Sequence, residues 1–263
     1  AIDKVAAPTL LALGMPPIAA GAIQAYARLG IAMPRSVIEI GVPVEPNLEL
    51  LQSINPDLFL THFDVPRARA RLDRIAPTFT MKIYQGDGHT LEHARSEMLR
   101  FARMVEKQDA ASSYFGRVDA TLEECRTALR DRQFRPIYLV QLGSNGRNVT
   151  VFGNNSIMQN VFDRLGLHNA WTGPMGLYGQ RNIGVEELAQ NRDARLIYID
   201  YDDDTTGLLA RLTASPFWSH LPFVTANRIS SIPAFDVYGG YPTVERFARL
   251  LTAGLLSQAD DHA

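Results

Sequence analysis

The sequence has almost no cysteine: one thiol, Cys125, stands among 263 residues. A single cysteine cannot form a disulfide within the chain, and its place in the helix predicted over 121–132 indicates that it packs against other side chains. The chain also lacks an excess of one charge. The formal net charge is −2, and the arginines are scattered rather than clustered on one face. This composition argues against nucleic acid as a partner.

Long hydrophobic runs are missing as well. The stretch 5–27 carries no charge, but it is interrupted by Pro8, Gly14, Pro16, Pro17 and Gly21. A membrane-spanning helix needs about 20 consecutive apolar residues, so we expect a short helix over Thr9–Leu13 that Gly14 ends. No secretory signal peptide is visible, and the chain starts at Ala1 as a processed chain would. A lipid anchor before Ala1 stays open.

Motifs typical of enzymes are absent too. The chain contains no Gly-x-Ser-x-Gly elbow, no Walker-type Gly-Lys-Ser/Thr and no Gly-x-Gly-x-x-Gly fingerprint. His89 and His93 are four residues apart, as in some zinc sites, but no third ligand is evident, so an exposed helical pair is the simpler interpretation. We therefore predict no catalytic residues and no metal site.

A strand–helix–strand unit is the clearest feature that is present. Val37–Ile40 predicts a strand, and Leu48, Leu50, Leu51 and Ile54 form the apolar stripe of a short helix with Pro46 in its first turn. Asn55-Pro56-Asp57 should end that helix and lead into a strand at Leu58–Leu60. This order predicts a parallel sheet with a ligand site at the carboxyl ends of its strands.

The rest of the chain reads as two α/β halves. Between them, 91–132 is helical in pattern, with a break at Gln108-Asp109, where Asp109 is the predicted N-cap. The apolar residues of its second part keep helical spacing; they are Val118, Leu122, Cys125 and Leu129. Further predicted elements are strands at Thr78–Ile83, Pro136–Leu142, Val149–Phe152, Leu196–Tyr201 and Arg228–Ile232, helices at Ala68–Arg74, Ser156–Leu165, Val185–Gln190 and Val244–Leu256, and a loop at Leu167–Gly184. We divide the chain into an N-terminal lobe (1–110), a connecting helix (111–134) and a C-terminal lobe (135–263).

Six sequence motifs occur in an order that resembles one known family. They are Gly41 to Glu49 (GVPVEPNLE), Val151 to Ser156 (VFGNNS), Leu165 to Trp171 (LGLHNAW), Ser215 to Trp218 (SPFW), Leu221 to Val224 (LPFV) and Ile232 to Ala234 (IPA). The same order is found in the periplasmic binding proteins that deliver ferric siderophores, haem and cobalamin to ABC importers, with the strongest likeness to hydroxamate-siderophore binders. The resemblance runs from about Ile2 to Leu256.

The resemblance implies a fold and a role. The fold would be α/β, with two Rossmann-like lobes joined by one long α-helix, the class III periplasmic binding protein fold, and with a largely preformed cleft between them. The protein would be the periplasmic, monomeric substrate-binding component of an iron(III)-siderophore transporter. Its ligand, a ferric chelate in that cleft, needs no cofactor and no protein group on the iron. Its partner would be the inner-membrane ABC permease.

Several positions depart from the hydroxamate-binding pattern. Pro43 stands where the family has an arginine that meets the iron-bound oxygens, and Thr61 and Asp236 replace two tryptophans of the cleft. Val65 replaces a tyrosine, whereas the aromatic of the second-lobe loop is kept as Tyr178. Fewer aromatics and more polar groups favour a smaller or more anionic chelate over a flat apolar trihydroxamate. The resemblance favours a hydroxamate ligand, and the arginines favour a mixed citrate–hydroxamate.

Positive charge for such a ligand would come from the second lobe. Arg147 lies between the strands predicted at Pro136–Leu142 and Val149–Phe152, which should form a hairpin. Arg181 follows Gln180 in the predicted loop. We expect both arginines to line one wall of the ligand cleft with Tyr178. The full predicted ligand set is Thr61, His62, Arg147, Tyr178, Gln180, Arg181, Tyr201, Asp236 and Tyr238. Thr61 and His62 would contribute only hydrogen bonds and shape. Haem or cobalamin remains the alternative ligand, with His62 or Tyr178 available to haem iron. A small α/β enzyme that acts on metal chelates or nucleotides is the alternative from another class.

Docking to a permease in this family uses one acidic residue on each lobe. Glu186 or Glu187 fits the second lobe. The corresponding first-lobe position falls in the basic stretch Arg67–Arg71, so that Asp64 or Asp73 would have to substitute.

Overall fold

The computed structural model describes residues 1–62, 66–201 and 205–257, and they form two compact units. Unit 1 contains Ala1–Ile83, Leu91–Val118 and Asp236–Thr243. Unit 2 contains Tyr84–Thr90, Asp119–Phe235 and the chain from Val244. These units differ from the linear division into 1–110, 111–134 and 135–263, because each takes a short segment from the other half of the sequence. That division stays a prediction.

Unit 1 is built from very short strands and from helices. In chain order the elements are α1 (Ala6–Ala12), β1 (Ala19–Ala20), α2 (Ile23–Arg28), β2 (Ile38–Glu39), β3 (Gly41–Val42), β4 (Glu45–Pro46), α3 (Leu48–Ile54), β5 (Phe59–Thr61), α4 (Pro66–Leu72), β6 (Thr78–Thr80), α5 (Thr90–Met104) and α6 (Gln108–Leu129). The last of these, the long helix α6, has residues in both units.

Two parallel strand pairs are connected by the first residues of the chain. β1 pairs with β2 and β5 pairs with β6, both in parallel. The amide of Ile2 donates to Leu60 O (2.9 Å), and the amide of Gly21 donates to Ala1 O (3.2 Å). The strands predicted at Val37–Ile40 and Leu58–Leu60 are therefore present as β2 and β5. They are not direct neighbours, however, because β1 and the segment Ala1–Ile2 lie between them.

Helix α3 begins later than predicted. Pro46 belongs to β4, and Asn47 is the N-cap, whose side-chain oxygen accepts from Leu50 N at 3.0 Å. An asparagine can satisfy a free amide of the first turn, which makes it the better start signal. Asn55 ends the helix in the left-handed conformation (φ 49°), as predicted. The predicted stripe is confirmed, because Leu51 is buried in a core cluster against which Leu48, Leu50 and Ile54 pack.

Helix α6 is about 33 Å long, since 22 residues each rise 1.5 Å. The residues predicted for its apolar stripe are all buried: Val118, Leu122, Cys125 and Leu129. Asp109 is not the N-cap, because the helix already begins at Gln108 and Asp109 lies in its first turn. A carboxylate there still favours the helix through its dipole.

Unit 2 contains one five-stranded sheet. Its elements are β7 (Ile137–Leu142), β8 (Asn148–Phe152), α7 (Ile157–Leu165), β9 (Gln180–Gly184), a 3₁₀ helix (Val185–Gln190), β10 (Arg195–Asp200), α8 (Thr205–Thr213), α9 (Pro216–Ser219), α10 (Pro222–Thr225), β11 (Ile229–Pro233) and α11 (Tyr241–Leu256). The strand order is β11-β10-β7-β8-β9. β10 is parallel to β7 and β11, whereas β8 is antiparallel to β7 and β9.

Strand β9 was not predicted. The sequence from Leu167 to Gly184 reads as a loop because it is rich in glycine and polar residues, but its last five residues pair with β8 at the sheet edge. In that register Arg181 lies opposite Val151 and Gln180 opposite Phe152. Two predicted ligand residues thus stand on a strand, where backbone hydrogen bonds fix their positions.

The uncharged stretch near the N-terminus forms α1, β1 and most of α2 rather than one long helix. Throughout the described ranges, no helix combines the length and the apolar character needed to cross a bilayer.

Candidate functional site

Asp3 is the centre of a buried polar cluster in unit 1. Its side chain is fully buried, and Oδ1 accepts from the amides of Val5 and Ala6 at the start of α1, both at 3.0 Å. Oδ2 accepts from Thr61 Oγ1 (2.5 Å) and from His62 N (2.7 Å). One carboxylate therefore joins the start of α1 to the carboxyl end of β5.

The His62 ring completes this cluster. Its Nδ1 lies 3.1 Å from Asp3 Oδ1, and its side chain is 2% exposed. Burial alone would raise the pKa of Asp3, but hydrogen bonds and charge from His62 and the hydroxyl of Thr61 outweigh it and hold the pKa below its usual value. Thr61 and His62 were predicted to hydrogen-bond the ligand. In the structure the Thr61 hydroxyl and the His62 amide donate to Asp3 and the His62 ring pairs with it, and their contact with the ligand stays a prediction.

Asp236 is a second buried carboxyl group in unit 1. Oδ1 accepts from Tyr238 N at 3.0 Å, whereas Oδ2 is buried and has no hydrogen-bond partner within the described part of the chain. Burial raises the pKa of Asp236 and the charge of Asp3 adds to this, against the Tyr238 amide, Lys4 and His62.

Two of the departures from the family pattern meet in one pocket. Pro43 and Thr61 both line a cavity of about 260 Å³ in unit 1. The family has an arginine and a tryptophan at these positions. The smaller side chains leave open space at the end of β5.

In unit 2, Tyr178 belongs to an aromatic pair. Its ring centroid lies 5.2 Å from that of Tyr84, at an interplanar angle of 60°. Leu177 is 51% exposed beside them. Edge-to-face pairs of this kind hold both rings in place. Tyr84 was missed by the sequence analysis, although an aromatic just before the turn at Gly86 was a usable signal.

Gly179 fixes the start of β9. It has φ +67°, and a β-carbon there would collide with the backbone of Asn155 and Ser156, so only glycine fits. Ser156 is the N-cap of α7 and accepts from Gln159 N at 3.1 Å. Because Gly179 N–H and C=O groups pair with Gly176 O (3.0 Å) and Gly153 N (3.1 Å), the chain enters β9 in one defined register.

Arg181 is exposed on β9, where its Nη1 donates to Pro174 O at 3.4 Å. Arg147 lies at the other end of the same ladder, because its carbonyl accepts from Val185 N (3.0 Å), just beyond Gly184. Four residues of strand separate the two positions, about 13 Å. The two arginines therefore stand at opposite ends of the ladder rather than side by side. Arg147 instead lines a pocket of about 860 Å³ that also contains Glu186 and Arg211.

The two docking candidates differ in their surroundings. Glu187 is half-buried, and its Oε1 accepts from Gly184 N at 3.2 Å, which caps the 3₁₀ helix. Glu186 is exposed. In unit 1, Asp73 pairs with Arg69 (3.4 Å), whereas Asp64 and Val65 lie outside the described residues. Glu186 is thus the better placed carboxylate for a partner.

The remaining predicted residues are half-buried. Tyr201 directly follows β10 in unit 2, Gln180 opens β9, and Tyr238 lies next to Asp236 in unit 1. Among the described residues no group of three or more His, Cys, Asp or Glu side chains is arranged to hold a metal ion.

Comparisons with known proteins agree with this architecture. The model of the periplasmic binding protein family matches residues 3–234. The iron(3+)-hydroxamate-binding protein FhuD of Escherichia coli is 31% identical over 245 residues, which cover 92% of this chain and 81% of that protein. The crystal structure of Vibrio cholerae FhuD bound to Fe³⁺–Desferal superposes with a TM-score of 0.87 at 25% identity and covers 96% and 95% of the two chains. FeuA of Bacillus subtilis, complexed with ferri-bacillibactin, superposes with a TM-score of 0.74 at 16% identity over 98% and 91%.

The architecture is the class III binding-protein fold, in which two α/β units share a long helix, here α6. This class consists of proteins that bind and deliver a ligand, not of enzymes. The chain belongs to the periplasmic binding protein family.

Proposed function

We propose that this protein binds a ferric siderophore in the periplasm, as a monomer, and delivers it to an inner-membrane ABC permease. The observation that carries the proposal is the alignment of 92% of the chain, at 31% identity, with a protein named for iron(3+)-hydroxamate binding. The ligand class that we infer is a hydroxamate or mixed citrate–hydroxamate chelate. The iron stays wrapped by the chelator, so the protein supplies no iron ligand.

The chemistry of the candidate residues supports this ligand class. Arg181 offers a planar, permanently charged group for anionic oxygens, and the Tyr84–Tyr178 pair offers ring surface for the ligand body. Haem is favoured less, because His62 is 2% exposed and pairs with Asp3, which leaves Tyr178 as the predicted iron ligand.

The test is a binding panel read by intrinsic fluorescence. Trp171 and Trp218 are both buried in unit 2, so a bound ferric chelate that absorbs their emission should quench it. The panel comprises ferric desferrioxamine, a ferric citrate–hydroxamate, a ferric catecholate, haem and cobalamin, each with its metal-free form where one exists. We expect saturable quenching by one or both hydroxamate-containing complexes. Binding of haem or cobalamin alone would overturn the proposal.

The docking part of the proposal rests on Glu186. We expect Glu186→Lys to lower siderophore uptake about tenfold or more, because a reversed charge meets a like charge on the permease. Affinity for the ferric chelate should stay unchanged. Uptake is measured with radioactive iron in cells that lack the native protein.

The matched control is Glu124→Lys, an exposed glutamate of α6 in the same unit whose pair with Arg249 is long, at 3.7 Å. It should leave uptake intact. Normal uptake with Glu186→Lys would remove Glu186 from the docking surface.

A further inference from the structure

The apolar pocket of unit 1 has walls from a turn, a helix and a pair of strands. Pro43 and Val44 of the β3–β4 turn form one wall, Ala68 and Leu72 of α4 form another, and Thr61 and Thr78 stand on β5 and β6. In the parallel register Phe59 pairs with Thr78. Thr61 and Thr78 are therefore two residues apart in register and share one face of this strand pair.

The polar residues in the wall turn their polar atoms to other partners. Thr61 donates its hydroxyl to Asp3, so its methyl group is what remains for the pocket. The guanidinium of Arg69 pairs with Asp73 at 3.4 Å, so its aliphatic stem can cover the wall. Leu72 and Ile2 add buried apolar surface. The result is a pocket lined mainly by hydrocarbon.

The hydroxyl of Thr78 is a polar group in this wall. Thr78 Oγ1 is buried and has no hydrogen-bond partner in the described ranges. A buried hydroxyl without a partner is costly, and an entering group with an amide or carbonyl would satisfy it. The pocket thus combines apolar walls with one hydrogen-bonding point.

Exposed apolar side chains of the β3–β4 hairpin adjoin the pocket. Val44 is 76% exposed and Val42, on the same hairpin, is 54% exposed. Exposed apolar side chains beside an apolar cavity indicate a surface that an apolar group covers. Pro43 and Thr61, at positions that the family resemblance assigns to the ligand site, both line the pocket. Its occupant is therefore part of the ligand.

We propose that this pocket binds an aliphatic arm of the ferric chelate, so that the ligand is an amphiphilic siderophore with an alkyl or acyl chain. This inference rests on the proposed function. A dry apolar cavity of about 150 Å³ accepts benzene, so 260 Å³ accepts an arm of about ten carbon atoms. The Thr78 hydroxyl is the partner for a carbonyl or amide within the arm.

The experiment compares ferric desferrioxamine acylated on its free amine with chains of two, six and ten carbons. Each buried methylene group raises affinity by up to about fourfold. We expect affinity to rise at least tenfold from two to six carbons and to rise further at ten. Dissociation constants are measured by fluorescence quenching below the micelle-forming concentration of each probe.

Two leucine variants on α4 distinguish binding in the pocket from a general effect of an added apolar side chain. Ala68→Leu adds three carbon atoms inside the pocket and should reduce the chain-length dependence. Ala70→Leu adds the same side chain at an exposed position of the same helix and should preserve the dependence. Thermal unfolding confirms that both variants fold.

The outcomes distinguish this inference from the proposed function. If all three probes bind with equal affinity, or if Ala68→Leu keeps the chain-length dependence, the subsite is refuted and ferric-chelate binding stands. If none of the three probes binds, while the panel shows binding of haem or cobalamin alone, both proposals fall.

Discussion

Asp3→Ala is expected to lower the free energy of unfolding by about 3–5 kcal/mol, the usual cost of removing one partner from a buried charged network. Asp3 accepts two amides of α1, the Thr61 hydroxyl and the His62 amide, and it pairs with the His62 ring. Its removal leaves these donors buried without an acceptor. Urea unfolding followed by circular dichroism measures the change.

The pH dependence of stability is a second test of the role of Asp3. Because the pKa of Asp3 is lowered in the folded protein, its stabilisation is complete above the unfolded value of about 4 and is lost as pH falls through the folded value. The stability difference between the parent and Asp3→Ala should therefore be full at pH 7 and shrink below about pH 4.

Asp73→Ala is the control for Asp3. Asp73 is exposed and pairs with Arg69 on the surface, so its loss should change stability by less than about 0.5 kcal/mol. A loss below about 1 kcal/mol for Asp3→Ala would show that the network contributes little to the stability of unit 1.

Arg181→Ala is expected to weaken ferric-chelate binding by about one to two orders of magnitude. A charge-assisted hydrogen bond is typically worth about 1.5–3 kcal/mol, and the first-lobe arginine of the family is replaced here by Pro43. Arg181 stands next to Tyr178 on the segment that enters β9. Titration with the tightest-binding chelate of the panel measures the effect.

Arg147→Ala is the matched control, since it removes the same charge about 13 Å away along the ladder of β8 and β9. It should leave affinity unchanged. If Arg181→Ala binds every chelate as the parent does, the charged contact must lie elsewhere, and the residues around Asp236 and Tyr238 become the next candidates.

Sequence patterns predicted best what depends on near neighbours in the chain. The stripes of α3 and α6 follow from helical spacing, and the hairpin of β7 and β8 follows from the turn at Asn145-Gly146 between two apolar runs. The start of α3 was misplaced because proline and asparagine both signal a helix start and only one of them forms the cap. The local sequence contains both signals and does not show which of the two residues forms the cap.

What depends on distant partners was predicted less well. β9 has no apolar alternation, and it is a strand only because β8 offers it a partner. For the same reason the separation of Arg147 from Arg181 was not visible, since it follows from the register of that pair. The contacts of Thr61 and His62 with Asp3 were not predicted either, because Asp3 is 58 and 59 residues away from them in sequence.

Gly179 marks the boundary between the loop that carries Tyr178, a predicted ligand residue, and strand β9 of the supporting sheet. Backbone contacts with Gly153, Asn155 and Ser156 hold this point of the chain, and none of them involves a side chain of residues 172–178. The exposed residues Thr172, Pro174 and Leu177 can therefore change identity while β9 stays in register and Arg181 keeps its place. A lineage that meets a new chelator can alter this loop without remaking the sheet, and a protein engineer can randomise it on the same terms.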